Sequence, residues 1–465
     1  MNAMKPTKVA VVGGGIAGLA AAWELCGRAD VTVFEPGRLG GKLRTEEFLG
    51  HPVDTGPDAF IARVPEGLEL CRELGLGGDL VAPAATKALL WWKGRLRGLP
   101  EGLVLGAPQR LGPMIRSGLL SPAGLARAGL DLVAPPTRRD GDVAVRELIA
   151  ARFGTEVADR LVDPLLGGIH AGTTAELSAE ATAPQLLTAA RSSRSLLLGL
   201  RRIAGASADG PLFLAPREGM QALSDRLVTA LQEQGVGFEV VTVTGLRSLT
   251  GGQLVVEPAT DTFDGVILAV PAASAAEVLD ANGQAARAAA GLRTIQTASV
   301  VVTTLGYRAD QLAVPEGASG FLVPKVEERL LTACSFGSNK WPHWSERDTT
   351  VLRASAGRAH DDRPFQLDDA SLVERIREEI AEALGSTASP TAWRVHRWPG
   401  SFPQSTVDHL KRVATIEAAL GQVLPRVTLA GASYRGSGIP ACIASGRRAG
   451  RELQARLQDG EALAG

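Results

Sequence analysis

Residues 8–12, KVAVV, form a short apolar run that stops at three glycines, the pattern of a buried strand. Residues 16–27 continue as small and apolar side chains at helical length, and VTVFE (31–35) is a second strand, so the chain opens as a β-α-β unit. Apolar spacing predicts amphipathic helices over 65–75 and over 369–385 (DASLVERIREEIAEALG). LLWWKGRLRGLP (89–100) reads as a hairpin turning at Lys93-Gly94. From 100 to about 205 the period becomes helical, with breaks at Gly112-Pro113, Ser121-Pro122 and Pro135-Pro136. Strand patterns return at 235–246 and 263–271, through 295–355 and in TAWRVHRWP (391–399). VTLAG (427–431) is the last strand; a turn of small residues then leads to a helix opening at Pro440.

Two glycine-rich strand-to-helix turns therefore stand more than 400 residues apart, and the first carries chemistry. Gly13, Gly15 and Gly18 form GxGxxG, with Gly14, Ile16 and Ala17 completing the turn. Gly13 allows the tight bend, Gly15 lets a pyrophosphate approach the backbone, and Gly18 lets helix and strand pack closely. The helix N-terminus then offers unpaired N–H groups and a favourable dipole to phosphate. Glu35 ends the second strand, before Pro36, and suits the ribose hydroxyls of an adenosine. The competing reading is a tight βα turn without a ligand. RLGGKLRT (38–45) follows at once; its glycine pair brings more backbone near a cofactor, and Lys42 or Arg44 can neutralise phosphate.

Length and charge narrow the class. A chain of 465 residues suggests two or three domains. With 49 Lys+Arg against 50 Asp+Glu, general nucleic-acid binding is not expected. The four cysteines are scattered without a CxxC pair and read as buried free thiols in a reducing cytoplasm. Six histidines show no metal-ligand spacing, so no metal is expected. Lys5 and Lys8 ahead of an apolar run resemble a secretory signal, but the triple glycine and Glu24 fit a nucleotide-binding turn better. No run reaches the roughly 18 apolar residues of a membrane span. No Ser/His/Asp or Cys/His set stands out, and no catalytic side chain is assigned.

With RLGGKLRT the chain begins to resemble the FAD-dependent amine oxidase and protoporphyrinogen oxidase superfamily. VDTGPDAF (53–60) matches a segment that in the family lies against the flavin, which implicates Gly56, Pro57, Asp58 and Ala59; Asp54 reads equally as a turn-stabilising carboxylate. PLLGGIHAGTTAELSAEATAPQL (164–186) is similar to the porphyrinogen-oxidising branch, with His170 where an aromatic is usual and Gly167 and Gly168 facing substrate. HRWPGSFPQSTVDHL (396–410) would put Trp398 near the flavin, with His409 a structural hydrogen-bonding residue or a base. GASYRGSGIPACI (431–443) resembles the end of bacterial coproporphyrinogen III oxidases, so Ser437, Gly438 and Ile439 would touch the flavin edge; Ala441 departs from the usual Asp. Val243 joins the cofactor set by the same resemblance.

The resemblance implies an α/β fold: a Rossmann-like FAD-binding domain of the glutathione-reductase type, with an inserted mixed-sheet substrate domain and a helical domain. The expected parts are 1–85, 206–265 and 416–465 for FAD, 86–205 helical, and 266–415 for substrate. It implies FAD held non-covalently, since no SGGC run is present, and oxygen-dependent oxidation of coproporphyrinogen III with release of hydrogen peroxide in heme biosynthesis. Protoporphyrinogen IX is the close alternative; an amine oxidase and a non-catalytic FAD-fold protein are the more distant ones. Lys87 is the nearest match to the family's propionate-binding cation, with Arg95 and Arg97 as rivals and a solvated surface charge as the plain reading of each. The apolar segment 99–134 is either a lid or a shallow membrane-docking face. The expected location is cytoplasmic, with peripheral membrane contact and a downstream chelatase as further partners.

Overall fold

The computed structural model describes residues 7–135, 141–204, 210–281, 283–345 and 348–462. Its base is a parallel five-stranded sheet in the order Gly237–Glu239, Asp30–Phe34, Lys8–Val12, Gly265–Leu268, Val427–Leu429. Both faces are covered, which is why its strands read as continuous apolar runs. Val9 and Val11 point to one face, Ala10 and Val12 to the other, each into its own core cluster. The second face is covered by helices Ala272–Asp280, Ala286–Arg293 and His409–Val423.

The first face carries helix Ile16–Leu25 and, against it, the C-terminal helix Ile439–Ala462. Small residues let the two backbones touch. A Cβ at Gly446 would collide with the Ala17 carbonyl and lie 3.0 Å from Ala21 N; one at Gly450 would lie 3.3 Å from Ala21 O. Position rises together along both helices, so they run parallel and their N-termini meet at one end of the sheet. Arg451 reaches Glu24 at 3.2 Å, and Arg28 reaches Gln454 at 3.1 Å.

A seven-stranded mixed sheet stands beside this unit, in the order Ala392–Pro403, Thr297–Arg308, Thr349–Ala356, Leu331–Phe336, Ala318–Leu322, Lys87–Trp92, Arg95–Gly98. Only the Ala318–Leu322/Lys87–Trp92 pairing among them is parallel. Helix Asp369–Leu384 seals one face through Leu372, Val373, Ile376 and Ile380. A helical module follows the hairpin, from Leu111–Ser117 to Leu196–Ala204. Its centre is a dry ion pair: Arg152 Nε donates to Asp131 at 2.6 Å, and Asp131 also accepts from Ser195 Oγ at 2.6 Å and Leu197 N at 2.9 Å. The Leu197 bond, with one from Leu196 N at 3.2 Å, satisfies N–H groups at the start of helix Leu196–Ala204.

Several expected boundaries move. A division at 265/266 cuts through the strand Gly265–Leu268, so the nucleotide sheet extends further into the chain. The hairpin 87–98 belongs to the seven-stranded sheet and not to the helical module. The run 235–246 is not one strand: pairing stops at Glu239 and resumes at Gly245, and Val240 between them is 80% exposed. Alternating valines there satisfy the strand pattern without a partner to pair with. Lys5, Pro136 and the 205/206 division lie outside the described residues.

Candidate active site

The first glycine turn has the geometry its spacing demands. Gly13 sits at φ +108°, with a Cβ position only 2.7 Å from the Ala269 carbonyl oxygen. A Cβ at Gly18 would collide with the Gly13 carbonyl, so helix and strand touch there. At Gly15 a Cβ meets nothing within 4 Å. That open side, next to the N-terminus of helix Ile16–Leu25, is where phosphate oxygens fit. Ile16 and Ala17 are buried in the first turn of that helix. Glu35 is fixed by backbone: its carboxylate accepts from Gly14 N at 2.8 Å and Gly37 N at 3.0 Å. Beside it lies a cleft of about 420 Å³, lined by Glu35, Arg38, Phe238 and Val240 among others. Pro36 is exposed at its rim, while Val243 is half-buried against the second core cluster and does not line it.

Gly40 and Gly41 carry the second glycine pair over the first; a Cβ at Gly41 would lie 3.2 Å from the Gly15 Cα. Lys42 then turns away from the phosphate turn. Its ammonium donates to the Ser401 carbonyl at 2.6 Å and lies close enough to Cys442 to interact electrostatically. The side chain keeps accessible surface, yet its ammonium is crowded by protein, and this desolvation lowers its pKa while Cys442 opposes the shift. Burial pushes the Cys442 thiol up to about 11, against the pull of Lys42. Gly56 meets this group from a third side: its Cβ position is blocked by the Lys42 carbonyl and lies 3.7 Å from the Trp398 ring. Trp398 is anchored by its indole N–H on the Thr55 carbonyl at 3.0 Å. Just before the C-terminal helix Ser437 is half-buried and Gly438 exposed, Ile439 is buried, and the Cys442 thiol is turned toward the Ser437 carbonyl at 3.7 Å. Pieces of chain from 40–42, 56, 398–401 and 437–442 thus converge on one place.

The turn at 54–58 hides two carboxylates that behave oppositely. Asp54, 1% exposed, accepts from Thr45 Oγ1 at 2.6 Å and Met220 N at 2.8 Å; burial outweighs these bonds and raises its pKa to about 6. Asp58 faces Lys340 at 2.8 Å, Arg353 at 3.2 Å and the Trp341 indole N–H at 3.2 Å. Burial alone would raise its pKa, but the two cations hold the carboxyl far below the usual range. Pro57 and Ala59 flank it, half-buried. Arg353 also donates to the Gly56 carbonyl, so the seven-stranded sheet grips the turn twice. Nothing local in the sequence signals these partners: Lys340 and Arg353 stand nearly 300 residues away.

On the substrate side, Gly167 and Gly168 lie in helix Asp163–His170, and Gly167 is buried. Gly168 is exposed, with only Leu322 at 3.9 Å from its Cβ position. Ala171 ends the helix in the left-handed conformation. Burial lowers the His170 pKa to about 4, so the ring is neutral near pH 7. His409 is 1% exposed and bonds the Tyr434 carbonyl at 2.9 Å, a structural role. Lys87 is exposed at the start of its strand, Arg95 is exposed, and Arg97 is half-buried with its Nε unpartnered. No cluster able to hold a metal occurs among the described residues.

A site built from a dinucleotide turn and three distant segments has close parallels among known proteins. The profile of the family described as flavin containing amine oxidoreductase matches residues 16–454. The coproporphyrinogen III oxidase of Mycobacterium leprae is 37% identical, over 96% of this chain and 98% of its own. That of Bacillus subtilis is 31% identical, over 95% and 96%. A solved structure from Exiguobacterium sp. 255-15, provisionally assigned as a protoporphyrinogen oxidase, superposes with a TM-score of 0.87 at 27% identity, over 97% of this chain and all of that one. A match of this length, carried on a turn shaped for a dinucleotide, makes the chain a member of the flavin-containing amine oxidoreductase family and a flavin-dependent oxidoreductase.

Proposed function

We propose that the chain oxidises coproporphyrinogen III to coproporphyrin III in heme biosynthesis, using non-covalently bound FAD and molecular oxygen and releasing hydrogen peroxide. The observation that carries the reading is the full-length similarity to proteins named coproporphyrinogen III oxidase, joined to a glycine turn whose open side is at Gly15. When bound, FAD supplies the acceptor for hydride equivalents and their return to oxygen. The residues present suit that group. Gly13–Gly18 and the helix N-terminus hold the pyrophosphate, and Glu35, already oriented by two backbone N–H groups, receives the ribose hydroxyls. Lys42, Gly56–Ala59, Trp398 and Ser437–Ile439 hold the ring end. The Cys442 thiol, buried and turned to a carbonyl, is not placed as a covalent attachment point.

Protein acid–base groups take little part. His409 is locked on a carbonyl and burial leaves His170 a weak base, with a pKa of about 4, so substrate protons leave to water or backbone acceptors. Positioning does the work of catalysis here. Lys87 meets a propionate at the mouth, and exposed Gly168 faces the flat ring, while Gly167 is buried against the Gly172 carbonyl. Anaerobic addition of coproporphyrinogen III should bleach the yellow protein and raise porphyrin fluorescence, and acid precipitation should release all the colour. A strong preference for protoporphyrinogen IX, the second reading suggested by the Exiguobacterium relative, would overturn the choice of substrate.

The same reading puts the enzyme in the cytoplasm, touching the membrane from its inner face and passing porphyrin to a chelatase. No helix of the described residues is long and apolar enough to cross a membrane. Ile115, Leu130 and Val133 are exposed at 63, 53 and 72%. Around them Arg110, Arg116, Arg194, Arg201 and Arg202 are exposed, and none forms an ion pair with a described carboxylate. Aliphatic side chains among arginines suit an anionic lipid surface better than a closing lid. Sedimentation with anionic, but not neutral, vesicles tests this contact; equal behaviour with both refutes it.

A further inference from the structure

Three arginines are buried among the described residues: Arg152, Arg353 and Arg358. Arg152 is held by Asp131 and by the carbonyls of Pro135 and Arg194. Arg353 is held by Asp58 and the Gly56 carbonyl. Arg358 is 8% exposed, and its guanidinium has no hydrogen bond or ion pair with any described residue. A guanidinium is always charged. A buried charge without a counter-ion is strongly unfavourable, so a fold that keeps one has a use for it.

Its surroundings say what the use is. The backbone is fixed: Ala359 N donates to the Ala171 carbonyl at 2.7 Å, and Asp361 N donates to the Arg358 carbonyl at 3.0 Å. Asp163 and Asp361 are the carboxylates that influence it, and both are occupied elsewhere. Asp163 accepts from Thr174 N and Oγ1 at 2.8 and 2.6 Å, and Asp361 pairs with Arg363 at 2.7 Å. Asp163 opens the helix that carries Gly167 and Gly168. Ala359 packs with Ala171, Val300 and the Trp398 side chain. Arg358 is thus held by its backbone beside Ala171, at the end of the glycine helix, and next to an apolar group that includes Trp398, with Asp163 and Asp361 near enough to act on its charge.

We propose that Arg358 is a substrate-binding residue that takes a propionate carboxylate of the tetrapyrrole, from inside the site. The assignment rests on the porphyrinogen reading above. A planar fork of donors holds a carboxylate in two-point contact and fixes the orientation of the ring bearing it. Lys87, exposed on its strand, meets a carboxylate in water; Arg358 meets one where the desolvated pair discriminates more strongly between an anion and a neutral group.

Flavin-loaded wild type, Arg358→Met and Arg358→Lys are titrated with coproporphyrin III and with its fully methyl-esterified form, following fluorescence. Coproporphyrin III should bind the Met variant about tenfold or more weakly, as loss of a charged hydrogen-bonded pair predicts. The Lys variant should fall between, and the ester should bind all three alike. Flavin content should not change, and the Met variant should melt no lower than wild type, because an unpaired buried charge has been removed. Unchanged coproporphyrin binding in the Met variant overturns the assignment, as does equal loss for the ester or a lowered melting temperature. If the wild type itself binds neither porphyrin, the substrate reading falls and this inference with it. Binding by wild type and Met variant alike sinks only the role of Arg358.

Discussion

Asp58→Ala is the sharpest test of how the flavin-side turn is held. The carboxylate stands against Lys340 at 2.8 Å, Arg353 at 3.2 Å and the Trp341 N–H at 3.2 Å, with side chains 16, 19 and 9% exposed for Asp58, Lys340 and Arg353. Removing one member of a buried ion pair costs about 3–5 kcal/mol, because the partner charge is stranded. The indole loses a bond worth about 1 kcal/mol. Two features reduce the total: Arg353 keeps the Gly56 carbonyl, and Lys340 keeps some contact with water. We expect a loss of about 3 kcal/mol, or roughly 3 °C in melting temperature. Because Arg353 belongs to the seven-stranded sheet, Lys340 to the short helix Gly337–Lys340 and Asp58 to the turn, bound flavin should also fall. Removing the stranded charge as well, in Asp58→Ala/Lys340→Met, should recover part of the stability. The assays are thermal melting and the ratio of visible to ultraviolet absorbance. A single variant that melts as wild type, or a double variant worse than the single, refutes the account. The linkage has a definite sign: the folded pKa is depressed, so the contribution is complete above about pH 4 and is lost only as pH falls through the folded value.

Asp54 behaves in the opposite sense. Its raised pKa of about 6 means that the folded state alone keeps the proton between about pH 4 and 6, so stability is lost as pH rises through that window. Asp54→Asn should therefore raise stability at pH 8 by up to about 3 kcal/mol, read by thermal melting, and change little at pH 4; a gain independent of pH would contradict this. Gly446→Val must push the Ala17 backbone away and should empty most of the flavin site, whereas Gly450→Ala, whose nearest atoms are at 3.2–3.3 Å, should leave flavin content close to normal. Equal flavin content in the two would disprove the packing argument. His170, with a pKa near 4, takes no proton above pH 6, so His170→Phe should leave the pH–rate profile unchanged from pH 6 to 8; a lost inflection there would show the ring titrating. The unfolded ring takes up a proton near pH 6.5, so wild-type stability should fall from that pH down to about 4.

What could be read from the sequence was whatever depends on neighbours along the chain. The opening β-α-β unit, the acid at Glu35 and the Lys93-Gly94 hairpin each rest on contacts within a few residues or one turn. The run at 235–246 misled for the same reason: alternation is local, while pairing needs a partner, and Val240 lies between two paired segments. Long-range pairing escaped notice. Lys87–Trp92 joins Ala318–Leu322 in parallel across more than 200 residues, which moved the hairpin from one module to another. Asp58 stood out by family likeness, but its cations Lys340 and Arg353 did not. Arg358 carries no motif; only its burial and lack of a partner single it out. Gly167 and Gly168 show the same rule from the other side: the helical period read through this block holds despite two adjacent glycines, because Leu166 and Val162 pack into the helical core.

The contact between helices Ile16–Leu25 and Ile439–Ala462 also governs how the molecule is born. When the first strand leaves the ribosome, the sheet still lacks its neighbours at 265–268 and 427–429, and the apolar helix beside the phosphate turn has no cover. Contacts that close over more than 400 residues are slow to form and leave apolar surface waiting. The cofactor site cannot be completed during synthesis, because the last helix supplies one of its walls. Loading with flavin is then a late event that marks a finished chain, and a nascent or clipped polypeptide would be colourless however well its first half had folded.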